Sequence, residues 1–178
     1  IRYDASNTYS VSADDYQVLG HNSPDWTMGF QNTLTYKDFD LSIYMYMRWG
    51  QMIKYSVLTD YDPTGLNNYP TYFNVWSETN PSNDFPAMDA SIKDKLSYYP
   101  GFAALSYVDG SFFKIKNITL GYTMPDKLAK KLGLGKLRVY GTITNPFVIA
   151  KSHLLKDYDP EMNGGLNYPL TKQLVFGL

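Results

Sequence analysis

Strict alternation of apolar and polar residues over residues 39–49 is the feature that most constrains how this chain folds. In the stretch FDLSIYMYMRW every odd position is large and apolar, while the even positions hold Asp, Ser, Tyr, Tyr and Arg. Successive side chains of a β-strand point to opposite faces, whereas an amphipathic helix repeats every three to four residues. The stretch therefore predicts a long β-strand with one apolar face and one polar face.

Four more stretches alternate in the same way, so the sequence predicts five strands. Residues 26–36 place apolar side chains on even positions and join the next strand through a tight connection at Lys37 and Asp38. The other three stretches are residues 112–124, 137–147 and 169–178. In the first of these three, the parity of the apolar positions changes near Lys116 and Asn117. A β-bulge explains the change, and so does passage of the strand out of a half-buried zone.

The connections between these strands alternate between long and short. Residues 50–110 and 147–168 form long loops, whereas residues 37–38 and 125–136 form short links. If successive strands are antiparallel neighbours, all the long loops emerge at one end of the sheet, as in outer-membrane barrels. In the second short link, residues 125–136, Asp126 is expected to cap a helical turn that ends at Gly133.

Composition excludes several classes of function. The chain of 178 residues has a net charge of -1 and no basic run of five or more, which argues against a nucleic-acid partner bound through its phosphates. It has no cysteine, so disulfides, thiolate nucleophiles and zinc–thiolate sites are excluded. No apolar run approaches the length of about 18 residues that a membrane helix needs. Nucleophile elbow, phosphate loop and dinucleotide-binding fingerprint are all missing, and we expect no catalytic residues, cofactor or metal.

A period of two fits a soluble β-sandwich as well as a membrane β-barrel, and the polar faces favour the barrel. In the first two strands these faces hold mostly Thr, Ser, Gln, Gly and Tyr, with charge only near the strand ends. The strands also match the length of about 9 to 11 residues that crosses a bilayer, and Trp26, Trp49 and Tyr36 lie at strand ends. The side chains expected to face lipid are Met28, Phe30, Leu41, Ile43, Met45, Leu120, Val139, Ile143, Leu174 and Phe176. A secreted or surface β-sandwich that binds glycan through exposed aromatic rings is the alternative.

Aromatic residues cluster in the first long loop, at Tyr69, Tyr72, Phe73 and Trp76. Flat aromatic rings stack on sugar rings and press against protein partners, so these four residues are the candidate contacts with a substrate or a partner. Packing of the loop on itself is the competing explanation for the cluster.

Two DYDP segments, residues 60–63 and 157–160, place pairs of carboxylates two positions apart. Such pairs suit calcium or acid–base chemistry, and Glu161 adds an oxygen donor after the second copy. Aspartate before proline is also ordinary turn chemistry, and the glycine of an EF-hand loop is missing, so we predict turns without metal. His21 and His153 stand apart in loops and are expected to be solvated or locally hydrogen-bonded.

The C-terminal half of the sequence resembles a known family of outer-membrane proteins. Residues 107–147, YVDGSFFKIKNITLGYTMPDKLAKKLGLGKLRVYGTITNPF, are similar to the C-terminal signature of the SusC/RagA family of TonB-dependent transporters. Residues 15–50 and the segments NPSNDFPAM, YDPEMN and YPLTKQLVFGL match the same family in the same order, so the resemblance covers about residues 14–178. The aromatic residue that the family places shortly after FGL is missing.

The resemblance implies a fold, a location and a function. It implies an all-β chain whose antiparallel strands form the C-terminal segment, residues 1–178, of a transmembrane barrel of about 22 strands in the cell outer membrane. The plug and most of the barrel would lie upstream of Ile1. It further implies active import of oligosaccharides or oligopeptides, with a SusD-type surface lipoprotein as the outer lid. The TonB complex would act through the upstream regions.

Overall fold

A five-stranded antiparallel sheet organises the chain. The computed structural model describes residues 17–59, 62, 64–66, 68, 70–90 and 104–178. The strands are β1 (Trp26–Tyr36), β2 (Phe39–Trp49), β3 (Met52–Lys54), β4 (Tyr107–Asp109), β5 (Phe112–Thr123), β6 (Arg138–Ala150) and β7 (Gln173–Gly177). The large sheet has the order β1-β2-β5-β6-β7, so each long strand pairs with the next one in the chain. The five predicted strands are confirmed, although β6 extends beyond its predicted end and β7 is shorter than its alternating stretch.

The change of parity in β5 is a β-bulge. The register of β5 shifts between Ile115 and Asn117 against β6, and a matching irregularity lies at Tyr44 and Met45 of β2. The extra residue, Lys116, lets the apolar side chains before and after it point to the same face. The first of the two explanations for the parity change is therefore the right one.

The short connections contain a tight turn and one short helix. Lys37 occupies the turn between β1 and β2 with a positive φ of 54°. The link between β5 and β6 holds α2 (Asp126–Lys131), and Gly133 follows it with a φ of 72°. The prediction that Asp126 caps this helix is wrong, because Pro125 occupies the cap position and makes no side-chain hydrogen bond there. Asp126 already has helical backbone, so its carboxylate acts only as a favourable charge in the first turn.

The two long connections leave the same end of the large sheet and build a small core of their own. At this end β3 and β4 pair as a second, two-stranded sheet, and α1 (Ser56–Thr59) follows β3. The buried core residues are Ile53, Tyr55, Leu58, Phe73, Phe85, Val108 and Leu155. Since Leu155 belongs to the connection after β6, the two loops pack together. The long connection predicted over residues 50–110 is present and contains short elements that the sequence did not indicate, because elements of three or four residues are too short to show a period in sequence.

None of the helices in the described ranges has the length and apolar character that spanning a lipid bilayer requires.

Candidate functional site

The register of the large sheet collects the apolar side chains of all five strands on one side, which we call the apolar face. One row across the sheet shows this well, because Ile43 pairs with Ile118, Ile118 pairs with Ile143, and Ile143 pairs with Leu174. Cross-strand partners point to the same face. The residues predicted to face lipid all belong to this face: Met28, Phe30, Leu41, Ile43, Met45, Leu120, Val139, Ile143, Leu174 and Phe176.

The apolar face is open along much of its area. Phe30 is 48% exposed, Leu120 53% and Leu174 60%, and none of these three belongs to the buried core. The core described above lies among the loops instead. A soluble sandwich would bury this face against a second sheet, and among the described residues the other sheet is the short β3–β4 pair at the loop end.

Aromatic rings lie at both ends of the apolar face. At the loop end Trp26 and Trp49 are cross-strand partners with ring centroids 6.2 Å apart and an interplanar angle of 22°. At the opposite end the rings of Phe39 and Tyr122 lie 4.8 Å apart, and Tyr36 is the partner of Phe39. Aliphatic and Met side chains lie mostly between these two ends. This layering is the one that a strand crossing a bilayer presents to the interfaces and the hydrocarbon.

The opposite side of the sheet, which we call the polar face, carries neutral hydrogen-bonding groups at its centre. A shallow concavity of about 410 Å³ lies on it, lined by Gln31, Ser42, Tyr44, Asn117, Thr119 and Thr142. The hydroxyls of Thr119 and Thr142 are 2.9 Å apart. The ring of Tyr44 lies across Gly29, where an added Cβ would be 3.1 Å from the Tyr44 hydroxyl oxygen. Amide and hydroxyl groups of this kind suit a wet surface and give it no strong charge.

An ionic cluster fixes the loop after β6 to the polar face of β5. The Lys114 ammonium lies 2.5 Å from Oδ2 of Asp159 and 2.9 Å from Oε2 of Glu161, and Lys116 lies 2.5 Å from Oε1 of Glu161. Lys114 is only 1% exposed. Burial by itself would raise the pKa of Glu161, but hydrogen bonds and charge from Lys116 and Lys114 outweigh burial and hold the pKa below its ordinary value.

The same cluster engages the second DYDP segment. Asp159 accepts hydrogen bonds from Lys114 and from the backbone N–H of Glu161, and it precedes the short 3-10 helix Pro160–Met162. The carboxylates of Asp159 and Glu161 are paired with lysine, and the local geometry is that of a turn. In the first copy Asp62 accepts from Thr64, while Asp60, Tyr61 and Pro63 lie outside the described residues. Within the described ranges no group of three His, Cys, Asp or Glu side chains is arranged to hold a metal ion.

Two further contacts hold this loop in place. Arg48 of β2 donates to the Asn163 side chain at 3.2 Å and to the Tyr46 hydroxyl at 2.8 Å. Gly164 adopts a φ of 86° and approaches the backbone so closely that an added Cβ would lie next to the carbonyl oxygen of Lys54. The loop is therefore attached both to the strands of the large sheet and to the β3 region.

The aromatic cluster of the first long loop divides into buried and exposed members. Phe73 is buried and stacks on Phe85 with ring centroids 4.5 Å apart, so the competing explanation, packing of the loop on itself, applies to Phe73. Tyr72 is 44% exposed and Trp76 is 42% exposed. Tyr69 lies outside the described residues. Accessible rings for a substrate or partner are therefore those of Tyr72 and Trp76.

Both histidines are locally bonded. His21 contacts Asp25 at 3.2 Å, and His153 contacts Asp84 at 3.1 Å. Each histidine is more than half exposed and meets a single carboxylate, an arrangement typical of surface hydrogen bonding rather than of a metal site.

Comparison with known proteins connects this two-faced sheet to one family. A scan against models of known protein families finds no match. The chain is 31% identical over 163 residues to TonB-dependent receptor P3 of Formosa agariphila, covering 90% of this chain and 15% of that protein. It is 26% identical over 183 residues to TonB-dependent receptor SusC of Bacteroides thetaiotaomicron, covering 98% of this chain and 17% of that protein.

The similarity extends to solved structures. The RagAB peptide transporter matches with a TM-score of 0.70 and 28% identity over 97% of this chain and 19% of that chain. The closed-closed state of the RagAB peptide importer matches with a TM-score of 0.69 and 26% identity, covering 98% of this chain and 20% of that chain. Along at least nine-tenths of its length the chain is thus similar to TonB-dependent receptors, among them SusC, and to the RagAB transporter. It spans about a sixth of the length of the curated SusC-type relatives named above.

Two features of this chain are not visible in its sequence pattern. Lys114 and Glu161 are 47 positions apart, and each is an ordinary charged residue in its own segment. The only local signal for the Lys114–Glu161 contact was the position of Lys114 on the polar side of an alternating strand. A lysine within such a strand favours a partner of opposite charge. The inward turn of Phe73 had no local signal, because its neighbours Tyr72 and Trp76 are also aromatic.

Proposed function

We propose that this chain forms part of the barrel wall and two outer loops of a TonB-dependent importer in the outer membrane. The observation that carries the proposal is the register of the large sheet, which places the predicted lipid-facing residues on one open face. Behind that face lies a polar surface rich in hydroxyl and amide groups. A wall between hydrocarbon and a water-filled interior needs these two surfaces.

The dimensions of the strands support the same conclusion. β1 and β2 each have 11 residues, which is about the length that crosses the hydrocarbon layer at a tilt. Among the described residues β1 and β7 are the edges of the large sheet. In lipid every backbone polar group needs a partner, so further strands would have to continue from these edges until the sheet closes. We propose closure into a barrel of about 22 strands, of which this chain supplies five.

The partners and the cargo follow from the family and from the outer loops. We propose that a SusD-type surface lipoprotein closes the barrel on the side of the long loops and that TonB drives opening through a plug outside this chain. The cargo is an oligosaccharide or an oligopeptide; RagAB is named a peptide importer, which supports the second class. Exposed rings at Tyr72 and Trp76 supply contact area at this end of the sheet.

Fractionation of cells followed by uptake measurements tests the proposal. The protein is expected in the outer-membrane fraction, to require detergent for extraction and to co-purify with a surface lipoprotein. Loss of the gene is expected to abolish uptake of one class of oligomer. A protein that stays in aqueous buffer as a monodisperse monomer without detergent would rule the proposal out. That result would favour a β-sandwich, which the open apolar face does not support.

A further inference from the structure

The short link between β5 and β6 carries exposed leucines beside a lysine-rich side. Ala129 of α2 is buried, whereas Leu128, Leu132 and Leu134 are 52%, 63% and 41% exposed. Leu128 and Leu132 are four positions apart and lie one above the other along the helical turn. The lysines of the link are Lys127, Lys130, Lys131 and Lys136. Exposed apolar side chains beside ammonium groups suit a segment that lies at a membrane interface.

The link continues directly from the apolar face. The backbone N–H of Met124 donates to the carbonyl of Leu137 at 2.8 Å, which extends the β5–β6 ladder by one pair beyond Thr123 and Arg138. By the alternation of the strands, Met124 lies on the same face as Tyr122 of the aromatic row. At about 3.4 Å per residue, the link begins about 7 Å along the strand beyond that row. The leucines therefore lie at the depth of headgroups if the aromatic row marks the edge of the hydrocarbon.

Charge is distributed unequally between the two ends of the sheet. Residues 37–38 and 124–137, which form the short connections, contain five lysines and two aspartates, a net charge of +3. Residues 50–111, which form the first long connection, contain three lysines against seven Asp and Glu, a net charge of -4. The end of the sheet with the short connections is cationic and carries exposed leucines, so it is complementary to an anionic lipid surface. Among the described residues, no acidic segment lies at that end to match it.

We propose that the link, residues 124–137, docks on the anionic phospholipid headgroups of the leaflet on the side of the short connections. Leu128, Leu132 and Leu134 enter the boundary between headgroups and acyl chains, and the lysines contact phosphate. This inference rests on the proposed function, because the large sheet must lie in a bilayer to bring the link to the lipid surface. Docking of the link would fix the depth at which the sheet lies in the membrane.

A single fluorescent label tests the inference in the purified protein. This chain has no cysteine, so once any cysteine elsewhere in the protein is replaced by serine, Leu132→Cys is the single site for an environment-sensitive dye such as NBD. The labelled protein is reconstituted into nanodiscs of phosphatidylcholine, with or without phosphatidylglycerol, that contain lipid spin-labelled near the headgroup. Leu66→Cys on the loop side, 64% exposed, is the matched control, and Ile43→Cys reports on insertion of the sheet.

The expected result is a blue-shifted emission and strong quenching at position 132, increased by phosphatidylglycerol and reduced by high salt, with the label at position 66 in water. Each lysine is worth about fivefold in binding to an anionic surface, so Lys127→Gln together with Lys131→Gln should remove most of the increase. Equal quenching of the labels at positions 66 and 132 would overturn the inference. A blue-shifted label at position 132 whose emission does not change with phosphatidylglycerol or with the lysine substitutions would also overturn it, because the link would then dock on protein. If the label at position 132 is in water while the label at position 43 is in hydrocarbon, the inference is overturned and the proposed function stands. If the label at position 43 is itself in water, the proposed function is overturned.

Discussion

Lys114 on the polar face of β5 is joined to Glu161 in the loop after β6, with Nζ 2.9 Å from Oε2. The lysine is 1% exposed, and the carboxylates of Glu161 and Asp159 are 18% and 15% exposed. The pair therefore lies largely out of water and connects a strand of the sheet to an outer loop. Because a buried charge without a partner is strongly unfavourable, the loop and the strand stabilise each other at this point.

Replacement of Lys114 by methionine tests that connection. Lys114→Met leaves Asp159 without its lysine and Glu161 with Lys116 alone, and we expect a loss of about 3 to 5 kcal/mol in the free energy of unfolding. Protease cleavage within residues 151–172 should rise in the same variant. Lys156→Met, at an exposed position of the same loop, is the control and should change stability by no more than about 0.5 kcal/mol. Equal effects of the two substitutions would show that the ionic cluster does not hold the loop.

Acid should release the same loop. The pKa of Glu161 is lowered in the folded protein, so the folded state binds fewer protons than the unfolded state between the lowered value and the ordinary value of 4.5. The stabilisation is complete above pH 4.5 and is lost as the pH falls through the lowered folded pKa. Hydrogen exchange of the amides around Glu161 should accelerate over this window. In Glu161→Gln this acceleration should be much smaller, and an unchanged pH profile would contradict the assignment to Glu161.

Alanine substitutions at two glycines distinguish the cost of a steric collision with the backbone from the cost of a left-handed backbone conformation. Gly164→Ala combines a φ of 86° with a Cβ that would collide with the carbonyl of Lys54, whereas Gly133→Ala has a φ of 72° and open space. We expect Gly133→Ala to cost about 1 kcal/mol, from its left-handed backbone alone. Gly164→Ala should cost clearly more and detach the loop after β6 from β3. Denaturant unfolding measures both, and a smaller effect at Gly164 would mean that the loop is not packed as described.

Arginine substitutions on the two sides of β2 test which face meets lipid. Ile43→Arg puts a charge on the apolar face near mid-height and should cost about 2 to 4 kcal/mol in a folding assay with bilayers. Tyr44→Arg puts the same charge on the polar face, beside water, and should cost less. The same assay without bilayer, in detergent micelles, is the control for general effects of the arginine. A larger effect of Tyr44→Arg would invert the assignment of the faces.

The aromatic loop cluster predicts two different phenotypes. Phe73→Ala opens a cavity in the loop core against Phe85 and should lower stability by about 3 to 5 kcal/mol. Trp76→Ala removes an exposed ring, so stability should change little, while affinity for cargo or for the lipoprotein should fall by about tenfold. Calorimetry and binding of fluorescent oligomers or of the purified lipoprotein measure the two effects. Unchanged affinity in Trp76→Ala would limit the cluster to a packing role.

Much of the large sheet was predictable because alternation is a local property of one strand. The sequence of β2 alone assigns Leu41, Ile43 and Met45 to one face, and the structure agrees with that assignment. The bulge was recognisable only as a change of parity near Lys116, since two different geometries produce the same pattern. β3, α1 and β4 were missed, because elements of three or four residues are set by their packing on distant neighbours such as Leu155.

By itself, then, the order of residues determined which side chains share a face and where the long and short connections fall, because the backbone of an extended strand enforces a period of two. Only the tertiary structure decided that Lys114 meets Glu161, that Phe73 turns inward and Trp76 outward, and that Pro125 rather than Asp126 precedes α2. Those outcomes depend on the path of the chain through space. No local repeat encodes that path.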